Sequence, residues 1–133
     1  MKNKIMSLVA FVFVVCTIMS TSGLAARSIV SLPANQVWVY RTLTRSGNYS
    51  YLNVNLHDVY PESGFDTYTR IQVQMTNTSN VNIAVGTPTV IYEGQGLYKY
   101  HLREGYVSTK TIRFQFRGNS SKPALADVTY LAN

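Results

Sequence analysis

The sequence predicts a small all-β protein, a single antiparallel β-sandwich that follows an N-terminal signal peptide. After residue 27 the chain repeatedly alternates apolar and polar residues, which is the pattern of half-buried strands, and it contains no long helix-period stretch. The composition agrees, since ten Tyr and thirteen Thr among 133 residues favour strands. One ordinary domain fills this length, and a closed barrel is the alternative architecture.

Residues 1–26 have the features of a secretory signal peptide. Two lysines near the start precede an almost unbroken apolar run over residues 5–19. Gly23 and Ala25 then place small side chains at the −3 and −1 positions of a cleavage point. Cleavage one residue later and an uncleaved anchor are the alternatives, although the run is short for a membrane span. The sequence therefore predicts a secreted domain over residues 27–133 with no stable membrane span.

The charge and cysteine content of this domain exclude several classes of function. Cys16 lies in the apolar run and is the one cysteine, so the predicted mature chain has no disulfide, thiol nucleophile or Cys-ligated metal. Removal of Lys2 and Lys4 leaves ten basic and six acidic side chains, a net charge of +4. This excess is far from the dense basic footprint of a nucleic-acid binder, so no nucleic-acid partner is expected.

The first half of the domain contains three alternating segments separated by turn residues. Residues 36–45 and 49–57 are predicted strands, and Ser46-Gly47-Asn48 between them is typical of a tight turn. A loop is predicted over 59–66, where Pro and Gly interrupt the pattern, before a strand over 67–76. The residues predicted to share apolar faces are Leu52, Val54 and Leu56 in the second strand and Ile71, Val73 and Met75 in the third.

The second half continues with shorter segments and one long strand. A turn at 77–80 leads to the predicted strand 81–85, and glycine-containing joints separate the strands that follow. These are predicted over 89–93, 97–102, 106–117 and 124–131. In the longest, Ile112, Phe114 and Phe116 are predicted to face the core. Eight short strands at this spacing favour a sandwich with one solvated face on each sheet.

No arrangement for catalysis or metal binding stands out. His57 and Asp58 are adjacent, so within a strand they point to opposite faces and make a poor dyad. No Gly-x-Ser-x-Gly motif is present. His101 and Glu104 flank a turn, but nothing enforces the convergence of further metal ligands. Six scattered acidic residues are more typical of solubility groups than of a glycosidase pair. We expect a non-enzymatic protein without a cofactor or a metal.

Two alternating strands suggest a binding surface. If residues 69–74 and 112–117 lie in one sheet, their polar side chains form a flat cationic face rich in amides, suited to phosphate, carboxylate or sugar hydroxyls. An ordinary solvated face is the alternative. The predicted contact residues are Arg70, Gln72, Gln74, Arg113, Gln115 and Arg117. Tyr98 and Tyr100 are added because exposed tyrosines stack on sugars, although tyrosines are also common half-buried strand residues.

The segment Glu93-Gly94-Gln95-Gly96-Leu97-Tyr98-Lys99-Tyr100, together with the strand Tyr51-Leu52-Asn53-Val54-Asn55-Leu56, resembles small secreted proteins of Bacillus and its relatives. These form a β-rich family of unknown function that is loosely grouped with lactococcin-972-like bacteriocins. The resemblance implies a secreted β-sandwich and supplies no catalytic residues. The chain departs from the family in lacking a Trp- and acid-rich ending.

The leading functional prediction is a secreted protein that binds an anionic or glycan polymer of a cell envelope or extracellular matrix. A bacteriocin-like antagonist of competing cells is the first alternative, because the chain is small, exported and cationic. The second alternative is an inhibitor of a secreted hydrolase, with the 59–66 loop entering its protein partner. The sequence does not separate these hypotheses, since each requires a soluble cationic surface.

Overall fold

Two four-stranded antiparallel sheets pack face to face in the protein. A computed structural model describes residues 25–45 and 47–132, so most of the predicted signal peptide, with its cleavage position Gly23, lies outside the described residues. The strands are β1 (Ala25–Leu32), β2 (Val39–Thr44), β3 (Tyr51–Pro61), β4 (Arg70–Thr76), β5 (Thr89–Tyr92), β6 (Leu97–His101), β7 (Thr111–Gly118) and β8 (Ala124–Ala132). Among these residues there is no helix of the length and hydropathy that a membrane span requires.

The strand orders are those of a jelly roll. One sheet has the order β1-β8-β3-β6 and the other β2-β7-β4-β5. Successive strands therefore cross repeatedly between the sheets, as they do in a double Greek key of eight strands. The predicted sandwich is confirmed, and the barrel alternative is wrong because the two sheets do not close into one. The core between the sheets includes all nine of the predicted inward residues of β3, β4 and β7.

The structure corrects several predicted elements. Strand β1 was not predicted, and it starts inside the predicted signal peptide, with Ala25 and Ala26 paired to β8. The predicted tight turn after Arg45 does not make a hairpin, because β2 and β3 lie in opposite sheets; Ser46 itself lies outside the described residues. The third strand extends through the start of the predicted 59–66 loop and ends at Pro61.

The predicted strand 81–85 is absent, and only isolated bridges occur there. Ile83 donates to the Met75 carbonyl of one sheet and Val85 to the His101 carbonyl of the other, while side chains take the amides of Val81 and Ala84. The Asn77 carboxamide oxygen accepts from the amides of Ser79 and Val81 at 3.0 and 2.9 Å, and the Asn82 oxygen accepts from the Ala84 amide at 3.1 Å. Asn side chains compete with sheet pairing in this way.

The predicted strand 106–117 forms only from Thr111 onwards. The preceding residues make successive turns, in which the Tyr106 amide donates to the Arg103 carbonyl and the Thr109 amide to the Tyr106 carbonyl. Arg45 lies against these turns. It is only 3% exposed, and its guanidinium donates to the carbonyls of Val107 and Thr109 at 2.8 and 3.1 Å and to that of Tyr49. Its burial lowers the pKa of the guanidinium.

Tyr100 lies in the core, where its hydroxyl has no hydrogen-bond partner among the described residues. Burial, followed by the proximity of Tyr98, raises the pKa of this hydroxyl. An unpartnered buried hydroxyl costs about 1–3 kcal/mol. We therefore predict that Tyr100→Phe increases the free energy of unfolding by about 1 kcal/mol, measured by urea denaturation.

The control for this prediction is Tyr130→Phe. Tyr130 is similarly buried, but its hydroxyl lies 3.4 Å from the Ser28 hydroxyl. Removal of the Tyr130 hydroxyl therefore loses the hydrogen bond to Ser28. This variant should be no more stable than the original protein. A loss of stability in Tyr100→Phe would contradict the prediction, because it would mean that the Tyr100 hydroxyl makes a favourable contact.

Candidate functional site: the arginine–glutamine face

Strands β4 and β7 are neighbours in one sheet, which is the condition under which residues 69–74 and 112–117 were predicted to form a common polar face. Their antiparallel register places Gln72 opposite Arg117 and Gln74 opposite Gln115. Side chains alternate along each strand, so the predicted polar residues share the outer face while their apolar neighbours enter the core. We call this outer surface the arginine–glutamine face; it comprises Arg70, Gln72, Gln74, Arg113, Gln115 and Arg117.

The sheet that carries this face contains no acidic strand residue. Its four described strands include four arginines, Arg41, Arg70, Arg113 and Arg117, and no Asp or Glu. In the opposite sheet, the strand residues Arg27 and Lys99 are balanced by Asp58 and Asp127. Arg27 pairs there with Asp127 at 2.8 Å. The strand residues of this sheet therefore carry an excess of positive charge, whereas those of the opposite sheet are balanced.

Two aromatic residues that were not among the predicted contact residues border the face. The Arg117 guanidinium carbon lies 4.4 Å from the centre of the Trp38 ring, and that of Arg113 lies 4.7 Å from the Tyr40 ring. Cation–π contacts of this kind hold a guanidinium in place while its N–H edges remain available. The alternation in Val37-Trp38-Val39-Tyr40 already places both rings on one side of β2.

The glutamines hold the face together through their amides. Arg117 donates from Nε and Nη2 to Gln72 Oε1 at 2.8 and 2.6 Å, and Gln74 donates to Gln115 at 2.6 Å. Gln115 in turn donates to Thr76 and Asn80 at 3.0 and 2.9 Å. Because Gln115 is only 6% exposed, it supports its neighbours and is not available to a ligand. This corrects its predicted role as a contact residue.

Among the three arginines of the arginine–glutamine face, Arg70 and Arg113 have fewer internal partners than Arg117. The Asn119 carboxamide oxygen accepts from Gln72 Nε2 at 3.0 Å in one orientation and from Arg70 Nη2 at 3.2 Å in the other. The first orientation turns the Asn119 nitrogen toward Arg70 and the second turns it toward Gln72 Nε2, so the Asn119 oxygen serves only one of these two donors at a time. Arg113 stacks on Tyr40 and, within the part of the chain that the structure describes, donates to no acceptor. Both guanidiniums therefore keep N–H groups for an external anion.

Tyr98 and Tyr100 lie apart from the arginine–glutamine face. They are on β6 of the opposite sheet, paired with Val54 and Leu52, and therefore point inward. Tyr100 is 7% exposed, and the Tyr98 hydroxyl accepts from the Tyr92 amide at 3.2 Å. The prediction that they extend an exposed binding surface is corrected by this placement. The alternation of tyrosine with Lys99 and His101 could have shown that both tyrosines share one side of the strand.

The candidate catalytic and metal-ligating residues are also dispersed. His57 Nε2 lies 2.7 Å from the Thr129 hydroxyl. A register shift in β3 leaves both His57 and Asp58 outside the core, between the buried Leu56 and Val59, so the prediction that they point to opposite faces is wrong. Asp58 interacts with Glu93 instead. Within residues 25–45 and 47–132, no group of three His, Cys, Asp or Glu side chains is arranged to hold a metal ion.

Comparisons with known proteins place the chain in no family. No family model matches it, and no curated protein matches it in sequence. Among solved structures, the crystal structure of the Yersinia pseudotuberculosis-derived mitogen is similar with a TM-score of 0.47 and 14% sequence identity, over 82% of this chain and 86% of that chain. A likeness of this size carries no conclusion about function. The sequence resemblance to the Bacillus-type family stays a prediction.

Glu93 gives the stability of the protein a defined pH dependence. Its carboxylate accepts from the Val59 amide at 3.0 Å, yet partial burial and the neighbouring Asp58 and Asp66 raise its pKa. A raised carboxyl pKa means that the folded state binds the proton more tightly than the unfolded state. This contribution to stability therefore falls as pH rises from about 4.3, the ordinary glutamate value, through the folded pKa.

We predict that Glu93→Gln, which keeps an acceptor for the Val59 amide, is more stable than the original protein at pH 7 by about 0.5–1 kcal/mol. The difference should vanish near pH 3, where the carboxylate is protonated in both states. Urea denaturation across this pH range measures it, with the exposed Glu104→Gln as the matched control expected to change little. A gain that persists undiminished at pH 3 would contradict the electrostatic explanation.

Proposed function

We propose that the protein is a secreted, non-enzymatic β-sandwich that binds an acidic polymer of a cell surface or extracellular matrix through the arginine–glutamine face. The observation that carries this proposal is a sheet without acidic strand residues, on which Arg113 and Arg117 are stacked against aromatic rings. Stacking and the glutamine hydrogen bonds order these side chains before a ligand arrives, which lowers the entropic cost of binding.

The spacing of the cations supports a linear ligand. Arg113 and Arg117 lie four residues apart on β7, and Arg70 lies beside Asn119, just beyond its end. At about 3.3 Å per strand residue, the backbone positions of these three arginines extend over roughly 20 Å along the strand direction. A polymer with repeated carboxylate or sulfate groups can contact all three, whereas a single small anion can contact only one.

Retention on immobilised polysaccharides across a NaCl series tests the proposal. The purified protein should bind polygalacturonate and heparin and pass through neutral dextran. The dissociation constant should rise about tenfold or more between low and high salt, because exposed ion pairs are screened. Co-sedimentation with cell envelopes should show the same salt dependence. Failure to bind either acidic polymer, or equal retention by dextran, would reject this function.

A further inference from the structure

A cavity of about 210 Å³ opens at one end of the sandwich, next to the arginine–glutamine face. It lies between the residues that enter β4, those that leave β7, and the facing sheet. Its inner wall includes the buried residues Val59, Gly118 and Ala124. Pockets for drug-sized ligands usually measure about 300–1,000 Å³, so this cavity is suited to a single small unit.

The rim of the cavity is polar and carries one positive charge. Tyr68, Arg70, Asn119 and Ser120 contribute to it, and none of the lining residues is acidic. In one of its two amide orientations Asn119 accepts from Arg70 Nη2 at 3.2 Å, so the guanidinium lies beside this side chain. The Ser120 hydroxyl donates to the Tyr68 hydroxyl at 3.3 Å. The rim of the cavity thus combines a guanidinium, an amide and two hydroxyl groups.

We propose that this cavity binds one carboxylate-bearing sugar unit of the polymer. The proposal rests on the function proposed above and identifies the chemical class of its ligand. Arg70 pairs with the carboxylate through its fork of N–H groups, and the Asn119 and Ser120 side chains hydrogen-bond to the sugar hydroxyls.

The position of Arg70 connects the cavity to the rest of the face. Arg70 lines the cavity and also ends the row of cations that begins with Arg113 and Arg117. A chain lying along β7 therefore reaches the cavity without a change in direction. A neutral sugar lacks the group that pairs with Arg70, so the cavity should distinguish uronic acids from their neutral counterparts.

Gly118 offers a way to fill the cavity without removing a polar group. A Cβ atom at this position would meet only the Lys122 carbonyl oxygen, at 3.9 Å. Gly118 lies two residues after the inward-facing Phe116, so its side chain would point toward the cavity. Valine is well suited to a strand, and Gly118→Val should fill the cavity while leaving Arg70 in place.

The experiment is a titration of isotopically labelled protein with D-galacturonate and, separately, with D-galactose, followed through backbone amide NMR signals. Galacturonate should shift signals of residues 67–70 and 118–120, and galactose should not. Gly118→Val and Arg70→Gln should each weaken galacturonate binding at least tenfold. Arg103→Gln, at an exposed arginine outside both the arginine–glutamine face and the cavity, is the matched control and should leave monosaccharide binding unchanged.

Polymer retention measured on the same variants separates the two proposals. If galacturonate produces no localised shifts, or binds Gly118→Val and Arg70→Gln as tightly as the original protein, the cavity assignment is overturned even where polygalacturonate is still retained. Equal shifts with galactose would overturn the carboxylate specificity. Localised, variant-sensitive shifts without polymer retention would support the cavity site and reject the proposed polymer-binding function.

Discussion

Replacement of Arg45 by alanine is expected to lower the free energy of unfolding by about 3–5 kcal/mol. The side chain is almost completely buried, and its guanidinium binds three backbone carbonyls, those of Tyr49, Val107 and Thr109. Each charge-assisted hydrogen bond contributes about 1.5–3 kcal/mol, and removal of the donor leaves the carbonyls without it. Domains of this size are stable by about 5–15 kcal/mol, so this loss is a large fraction of the total.

The location of these carbonyls explains the size of the effect. Arg45 follows β2, Tyr49 precedes β3, and the other two carbonyls belong to the turns before β7. The Arg45 side chain therefore holds the β2–β3 connection against the turns that precede β7, and these segments lead into both sheets. Arg45→Lys should recover part of the loss, because an ammonium cannot reproduce the planar fork. The exposed Arg103→Ala is the control, expected within about 0.5 kcal/mol of the original protein. Equal midpoints for the two alanine variants in urea would contradict this role of Arg45.

The regular part of the fold follows from alternation in the sequence. The inward faces of β3, β4 and β7 were predicted because apolar residues recur at every second position. The 81–85 segment shows the same alternation, yet asparagine side chains take two of its amides and the amides of Ile83 and Val85 bond to opposite sheets, so no strand forms. Such side-chain bonds depend on the turn geometry around Asn77 and Asn82, which hydropathy does not encode. The order of strands in each sheet likewise depends on contacts between distant residues.

In the candidate site, too, the features set by neighbouring residues were predictable, whereas those set by contacts between distant residues were not. The alternation identified the outward-facing residues of β4 and β7. It did not show that these two strands are neighbours in one sheet, which the structure now establishes. The stacking of Arg117 on Trp38 and of Arg113 on Tyr40 requires β2 to pair with β7, which follows from the jelly-roll connection. The burial of Gln115 has the same origin, because its partners Thr76 and Asn80 come from a different segment.

Reversal of charge at Arg70, Arg113 and Arg117 is expected to weaken binding to polygalacturonate by at least a hundredfold. These residues supply the cations of the arginine–glutamine face. A hydrogen bond to a charged group contributes about 1.5–3 kcal/mol, and about 1.4 kcal/mol corresponds to a tenfold change in affinity. Loss of two such contacts is therefore enough for a hundredfold weaker affinity. The introduced glutamates also repel the carboxylates of the polymer. The measurement is the dissociation constant at low salt, with circular dichroism to verify the fold.

The matched control separates a binding face from a general effect of net charge. Lys99, Arg103 and Lys110 are exposed outside the arginine–glutamine face, and their replacement by glutamate changes the net charge by the same amount. This second triple variant should bind within a few-fold of the original protein, because distant exposed charges are screened beyond about 10 Å at 0.1 M salt. If both triple variants lose affinity equally, the polymer responds to the overall positive charge, and the arginine–glutamine face has no special part in binding.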